Sequence, residues 1–231
     1  MPKKKKPSSQ KNVLSRRRKV VRVKAKKSRT ESSRRWLQRH LNDPFVAEAQ
    51  EKGYRSRAAF KLLQLDEKFH LLAPGLRIVD LGAAPGGWSQ VAVKKIGKKG
   101  KIVALDLLPM TALPDVDFIQ MDFLDDEAPE ILKARLGGQA DLVLSDMAPN
   151  TTGHPGTDHI RIMALTEMAA HFAVGILAPG GAMVCKFFQG GAEKMILDLL
   201  KLHFKKIRHA KPAASRAESS ETYLVAQGFG K

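Results

Sequence analysis

From residue 76 onward, short apolar runs alternate with longer amphipathic stretches, and this alternation sets narrow limits on the fold. The strand-like runs are "LRIVDLG" (76–82), "GKIVALDLL" (100–108), "VDFIQMDF" (116–123), "ADLVLSDMAP" (140–149) and "GAMVCKFF" (181–188), with two late ones, "KIRHAKP" (206–212) and "ETYLVAQGF" (221–229). Between them lie helix-like segments: "GGWSQVAVKKIG" (86–97), residues 127–136, "IRIMALTEMAAHFAVGIL" (160–177) and "AEKMILDLLKLHF" (192–204). Two more helices precede the first strand. One, in "RRWLQRHLND", is expected to stop near Pro44, and the other, "SRAAFKLLQLDEKFHLL", to start from a Ser56 cap. Strands and helices at this spacing imply an α/β fold: a mostly parallel, doubly wound sheet with a late antiparallel strand.

Such a sheet takes its ligands at the carboxyl ends of its strands, near the point where strand order reverses. Asp80 ends "RIVD", Asp106 ends "KIVALD", Asp122 ends "FIQMD", Asp146 ends "LVLSD", and Lys186 falls late in its own strand. One acid at a strand end is an ordinary turn or cap residue. Four on successive strands, with a lysine on a fifth, mark one rim as a candidate site.

The turn "LGAAPGGW" narrows the choice of cofactor. A dinucleotide fingerprint fails because Ala84 stands where the second glycine belongs, and no Gly-Lys-Ser/Thr closes a phosphate loop. What is left is a strand acid followed by a turn with Gly82, Gly86 and Gly87, where a ligand can lie against bare backbone. Asp106 is placed for a ribose hydroxyl and Asp122 for an adenine amino group, so a nucleoside cofactor without phosphate fits best.

Lys186 sits inside an apolar strand, where an unpaired ammonium costs several kcal/mol. Either it is held in a buried ion pair with Asp146 or Glu221, or it does chemistry. Its neighbour Cys185 points to the opposite face by strand alternation and is expected in the core. That argues against a covalent cysteine mechanism. As the single cysteine, it also leaves no disulfide framework and no cysteine cluster for a metal. The histidines show no metal-ligand spacing, and no metal is expected.

Charge is divided unevenly. Of 40 Lys/Arg and 23 Asp/Glu, residues 1–35 hold sixteen basic residues and one acid, Glu31. The tail therefore carries +15 and the rest of the chain +2. With no aromatic before Trp36, residues 1–30 are expected to form a disordered basic tail ahead of one domain over 31–231. The tail suits a phosphate backbone, although a solubilising or import role is also open. Arg34, Arg35, Arg39, Arg55 and Arg57 are further candidates to guide a nucleic acid, and "GKKGK" (97–101) is a solvated turn or a further contact. No apolar run approaches a membrane span, so a cytoplasmic chain with no membrane partner is expected.

"DLGAAPGGWSQVA", "LDLLPM", "MDF", "SDMAPN", "APGGAMVCKFFQG" and "SRAESSETYLVA" together resemble the FtsJ family of S-adenosylmethionine-dependent ribosomal RNA ribose 2′-O-methyltransferases. The resemblance runs from about Ser28 to Gly228 and implies a Rossmann-like methyltransferase fold with S-adenosylmethionine as cofactor. It carries a catalytic tetrad onto Lys61, Asp146, Lys186 and Glu221; a ribose hydroxyl needs a base to take its proton, and the buried Lys186 is expected to be that base. It also carries a cofactor site onto Gly86, Trp88, Asp106, Asp122 and Asp146, beside Gly82. The acceptor it implies is a uridine of large-subunit ribosomal RNA; the assembled large subunit is the expected substrate and a monomer the expected state. The same chemistry on transfer RNA or an RNA cap stays open, as does a non-catalytic ribosome-assembly factor. The long basic tail departs from the compact members of the family.

Overall fold

The computed structural model describes residues 21–22, 31–149, 152–188 and 193–230. The chain divides into two compact units, residues 1–47 and 48–231. In the first, α1 (Glu31–Leu41) is followed by the start of α2 (Pro44–Glu51). The Asn42 side chain accepts from the Val21 amide and donates to the Val21 carbonyl, each at 2.9 Å, so Val21 is held as a neighbouring strand would hold it. The rest of the basic tail lies outside the described residues. Pro44, expected only to stop a helix, opens the next one. Proline suits a first helical position because it has no N–H to leave unpaired, and Asp43 Oδ1 accepts the Phe45 amide at 3.0 Å.

The second unit is built on one seven-stranded sheet. After α3 (Ala58–Phe69), the elements run β1 (Arg77–Leu81), α4 (Gly87–Ile96), β2 (Lys101–Asp106), β3 (Asp117–Gln120), α5 (Ala128–Leu136) and β4 (Ala140–Ser145). Then follow α6 (Pro155–Ile176), β5 (Leu177–Phe188), α7 (Glu193–His203), β6 (Phe204–Ala210) and β7 (Glu221–Phe229). The strand order is β3-β2-β1-β4-β5-β7-β6. β1 pairs in parallel with both β2 and β4, which makes it the point where the order reverses. β7 enters between β5 and β6 and is antiparallel to both, as the late strands implied.

The sheet buries both faces, which explains why its strands read as continuous apolar runs and not as alternating ones. On one face Ala59, Leu62 and Leu65 of α3 and Trp88 and Val91 of α4 pack on Ile78, Leu142, Val184, Tyr223 and Val225. On the other, Leu132 of α5, Ala169 and Phe172 of α6 and Leu200 of α7 pack on Val79, Val143, Met183, Cys185 and Leu224. Cys185 therefore lies in the core on the side opposite Lys186, and burial pushes its thiol up to about 12. No helix among the described residues is long and apolar enough to cross a membrane.

The expected helix cap at Ser56 is not made. α3 begins at Ala58 after Arg57 with no side-chain cap, and the buried Ser56 hydroxyl has no hydrogen-bond partner. α6 begins at Pro155, five residues before its apolar run, because a proline again supplies the first turn.

Candidate active site

β5 and β7 set the site. Lys186 pairs in register with Tyr223, and Phe188 with Glu221, so both lysine and glutamate arrive at the carboxyl rim of the parallel strands. Asp146 follows the last residue of β4, and α3 brings Lys61 across the same face. The four residues form one connected group. Lys61 Nζ contacts both oxygens of Glu221, at 2.9 and 3.0 Å, and Lys186 Nζ lies 2.9 Å from Asp146 Oδ1. Lys186 also donates to the Asp146 backbone carbonyl at 2.7 Å. Of the two ion pairs expected for Lys186, the structure makes the one to Asp146.

Tyr223 joins the two halves, and the sequence did not point to it. Its hydroxyl accepts from Lys61 Nζ at 3.0 Å and donates to Asp146 Oδ1 at 2.7 Å. Burial, together with the carboxylates of Asp146 and Glu221, pushes the phenol well above its ordinary range, so it stays a donor. Burial would push the Asp146 carboxyl up, but the Lys186 and Lys61 ammonium groups outweigh it and hold that carboxyl below its usual value. Reading "SSETYLV" for its acid alone passed over the tyrosine two positions later, which strand alternation puts on the face of Glu221.

Two further hydroxyls brace the group. Ser215 Oγ donates to Glu221 Oε1 at 2.7 Å, from a turn whose Ala214 amide donates to Gln64 of α3 at 2.8 Å and whose Ala214 carbonyl accepts from Arg57. The Thr166 hydroxyl on α6 lies 2.9 Å from the Lys186 carbonyl and fixes that strand from the other face. Trp88 packs under the group: its ring centroid is 5.6 Å from that of Tyr223, and its indole N–H donates to the Ala58 carbonyl at 2.9 Å.

Of the residues assigned to the cofactor, Gly82, Gly86, Asp106 and Asp122 lie along the same rim, toward β2 and β3, whereas Trp88 is buried against Tyr223 and Asp146 belongs to the charged group. Asp106 Oδ2 accepts the Ala84 amide and Oδ1 the Leu108 amide, each at 2.8 Å, which locks the glycine turn to the end of β2. Each oxygen keeps a lone pair for a hydroxyl. Asp122 Oδ1 accepts the Leu124 amide at 3.0 Å, and no donor among the described residues reaches its Oδ2. Leu107, Leu108 and Leu124, beside these carboxylates, are 59, 61 and 52% exposed. Free carboxylate acceptors flanked by exposed leucines suit a nucleoside with ribose hydroxyls and a flat apolar base.

The glycines of the turn serve close packing. A Cβ on Gly82, at φ +75°, would stand 2.8 Å from the Met147 backbone, and one on Gly86, at φ +101°, 2.9 Å from the Arg55 guanidinium and from Met110 Sδ. Asp80, just before the turn, is fully buried. Ser89 donates to its Oδ2 at 2.6 Å, and its Oδ1 has no partner. Burial pushes its carboxyl up to about 7; the Ser89 hydrogen bond opposes this, and Asp146 and Asp106 add to it.

Among the basic candidates, Arg55 and Arg57 do not stand free for a nucleic acid. Arg55 donates to the carbonyls of Thr111 at 2.6 Å, Ala112 at 2.7 Å and Pro85 at 3.3 Å, and Arg57 to Ala214. Arg34, Arg35 and Arg39 are exposed on α1 in the first unit. Lys98 and Lys99 form the turn before β2, at the amino end of the strands and on the rim opposite the site, which fits a solvated turn. Among the described residues no group of three His, Cys, Asp or Glu could hold a metal ion.

Comparison with known proteins fixes the family. Residues 54–229 match the model of the FtsJ-like methyltransferases, a span that includes every residue of the network. The chain belongs to the FtsJ-like methyltransferase family. Its methyl donor is S-adenosylmethionine. This FtsJ-like methyltransferase is 63% identical over 212 residues to the "Ribosomal RNA large subunit methyltransferase E" of Azorhizobium caulinodans, covering 90% of this chain and 88% of that one. It is 60% identical over 215 residues to the protein of the same name from Paramagnetospirillum magneticum, covering 91 and 88%. A Plasmodium falciparum structure assigned as a ribosomal RNA methyltransferase superposes with a TM-score of 0.69 at 33% identity, covering 76% of this chain and 98% of that one.

Proposed function

We propose that this FtsJ-like methyltransferase methylates the ribose 2′-hydroxyl of a uridine in large-subunit ribosomal RNA, on the assembled large subunit. One observation carries the reading: Lys61, Asp146, Lys186 and Glu221, distant in sequence, form a single bonded group at the rim beside the cofactor residues. The names of the relatives from Azorhizobium and Paramagnetospirillum support the choice of RNA.

A ribose hydroxyl is a poor nucleophile until its proton is taken. Lys186, once its ammonium has released a proton to solvent, has a lone pair at Nζ that accepts the hydroxyl's proton, and Asp146, through Oδ1 and its carbonyl, fixes where Nζ stands. S-adenosylmethionine, when bound, supplies a methyl group on a sulfonium. Lys61, held at both oxygens of Glu221, presents its ammonium to the acceptor and orients the ribose. Much of the acceleration comes from holding hydroxyl and methyl group in line, which a group fixed by so many hydrogen bonds can do.

The basic tail over residues 1–30 adds sequence-independent phosphate contacts to the domain over 31–231, and the protein works as a cytoplasmic monomer. Deleting residues 1–27 is expected to flatten the salt dependence of RNA binding. The main test supplies labelled S-adenosylmethionine to large subunits from a strain lacking this protein, with wild type and Lys186→Ala compared. Label confined to wild type and mapped to one uridine 2′-oxygen is the expected result. Equal label with both proteins would remove Lys186 from the chemistry, and label on transfer RNA alone would move the acceptor.

A further inference from the structure

β6 is an outer edge of the sheet, paired with β7 on one side. With the residue after it, it reads "FKKIRHAK", which holds Lys205, Lys206, Arg208 and Lys211 and no acid. Lys205, Lys206 and Arg208 are exposed, and among the described residues none of the three is in an ion pair. Residues 36–231 together carry only +2, less than the three cations of this one strand. Charges on an edge strand discourage pairing with other chains, but that purpose does not require a single sign.

We infer that the β6 edge is a second nucleic-acid surface of this enzyme, gripping the phosphodiester backbone of RNA next to the acceptor nucleotide. The inference rests on the reading of the acceptor as RNA. Its placement is the argument. Lys206 stands opposite Gln227, whose amide donates to Phe69 of α3 at 3.0 Å, and Arg208 stands opposite Val225 in the core under α3. Directly opposed residues of antiparallel strands share a face. Lys206 and Arg208 are therefore on the face that carries Lys61, Tyr223 and Lys186. Ala210, at the end of β6, is opposite Tyr223 itself. At about 3.3 Å per residue, Lys206 lies about 13 Å down the strand from that point. The two cations thus lead along one face toward the reacting group, where a backbone entering the site would pass. The edge presents only cations, so a polyanion is the partner that fits.

The experiment measures binding to large subunits, from a strain lacking this protein, as a function of salt. Wild type is compared with Lys206→Gln/Arg208→Gln and, as a control for lost charge, with Lys98→Gln/Lys99→Gln on the opposite rim. The β6 variant is expected to lower the slope of log K against log salt by roughly two, about one per cation, and to raise KM for subunits. Its affinity for S-adenosylmethionine should equal that of wild type, which also certifies its fold. The charge-conserving Lys206→Arg/Arg208→Lys variant should keep the wild-type slope. Equal slopes and KM for wild type and the β6 variant, with methylation intact, would reduce these residues to guards of the edge. A wild-type protein that neither binds nor methylates the subunits would sink the acceptor reading, and this surface with it.

Discussion

The hydroxyl of Tyr223 stands between Lys61 and Asp146, accepting from one at 3.0 Å and donating to the other at 2.7 Å. Without it, the only direct link between those two charges is a 3.8 Å approach. Tyr223→Phe keeps the ring that packs on Trp88 and removes only the bridge. Hydrogen bonds to charged groups contribute about 1.5–3 kcal/mol, so the melting temperature should fall by several degrees, and the turnover number by roughly ten- to a hundredfold where the same bridge orders the reacting group. Steady-state kinetics beside a thermal melt decide it; unchanged turnover would make the bridge incidental.

Ser215 acts through Glu221 and so is a positioning residue. Ser215→Ala leaves Glu221 Oε1 with Lys61 alone, and a loss of several-fold in kcat/KM is expected together with a displaced pH profile. Ser215→Thr retains a hydroxyl and should restore both. If alanine and threonine behave alike, the hydroxyl is not what matters at this position.

Asp80 predicts a pH dependence whose sign is fixed by its burial. Its carboxyl titrates near 7 in the folded protein, against 3.8 when unperturbed. Between those values the unfolded chain has lost the proton and the folded one keeps it, so this residue makes stability fall as pH rises. The total is roughly 4 kcal/mol by linkage. Asp80→Asn removes the titration. The melting temperature of the variant minus that of wild type should grow steadily from pH 4 to pH 7, and a constant difference would contradict the assignment.

Arg55 ties the loop after β2 to the glycine turn through three backbone carbonyls. Arg55→Ala should weaken S-adenosylmethionine binding by roughly tenfold, as expected from losing charge-assisted hydrogen bonds. It should also speed amide exchange across residues 107–116. Titration calorimetry and exchange mass spectrometry report the two effects separately, and normal affinity with normal exchange would leave the clamp without a role.

The sheet was legible because a strand buried on both faces announces itself by continuous apolar sequence, and every strand named from the sequence is present. β7 has the expected bounds, Glu221–Phe229. Pro44 misled because the same missing N–H that ends one helix can begin another. Ser56 misled because a serine before an apolar run looks like a cap whether or not its hydroxyl turns to the backbone. The four charged residues were readable from their motifs, and the structure connects them. Tyr223 and Ser215 were not, since a tyrosine in a core strand and a serine in a polar turn are unremarkable until their hydroxyls are seen to meet carboxylates. Arg55 was read as a surface cation, because sequence cannot show that its guanidinium is occupied by carbonyls made more than fifty residues later.

The position of β7 bears on when the enzyme can first work. β5 and β6 are both synthesised before it, yet β7 lies between them and brings Glu221 and Tyr223 to lysines laid down long before. A nascent chain that has not yet emitted residue 221 can pair Lys186 with Asp146 but has neither Glu221 to hold Lys61 nor Tyr223 to bridge it to Asp146. The sheet's last pairing is thus also the step that completes the charged group, and a partly made chain lacks that group by construction.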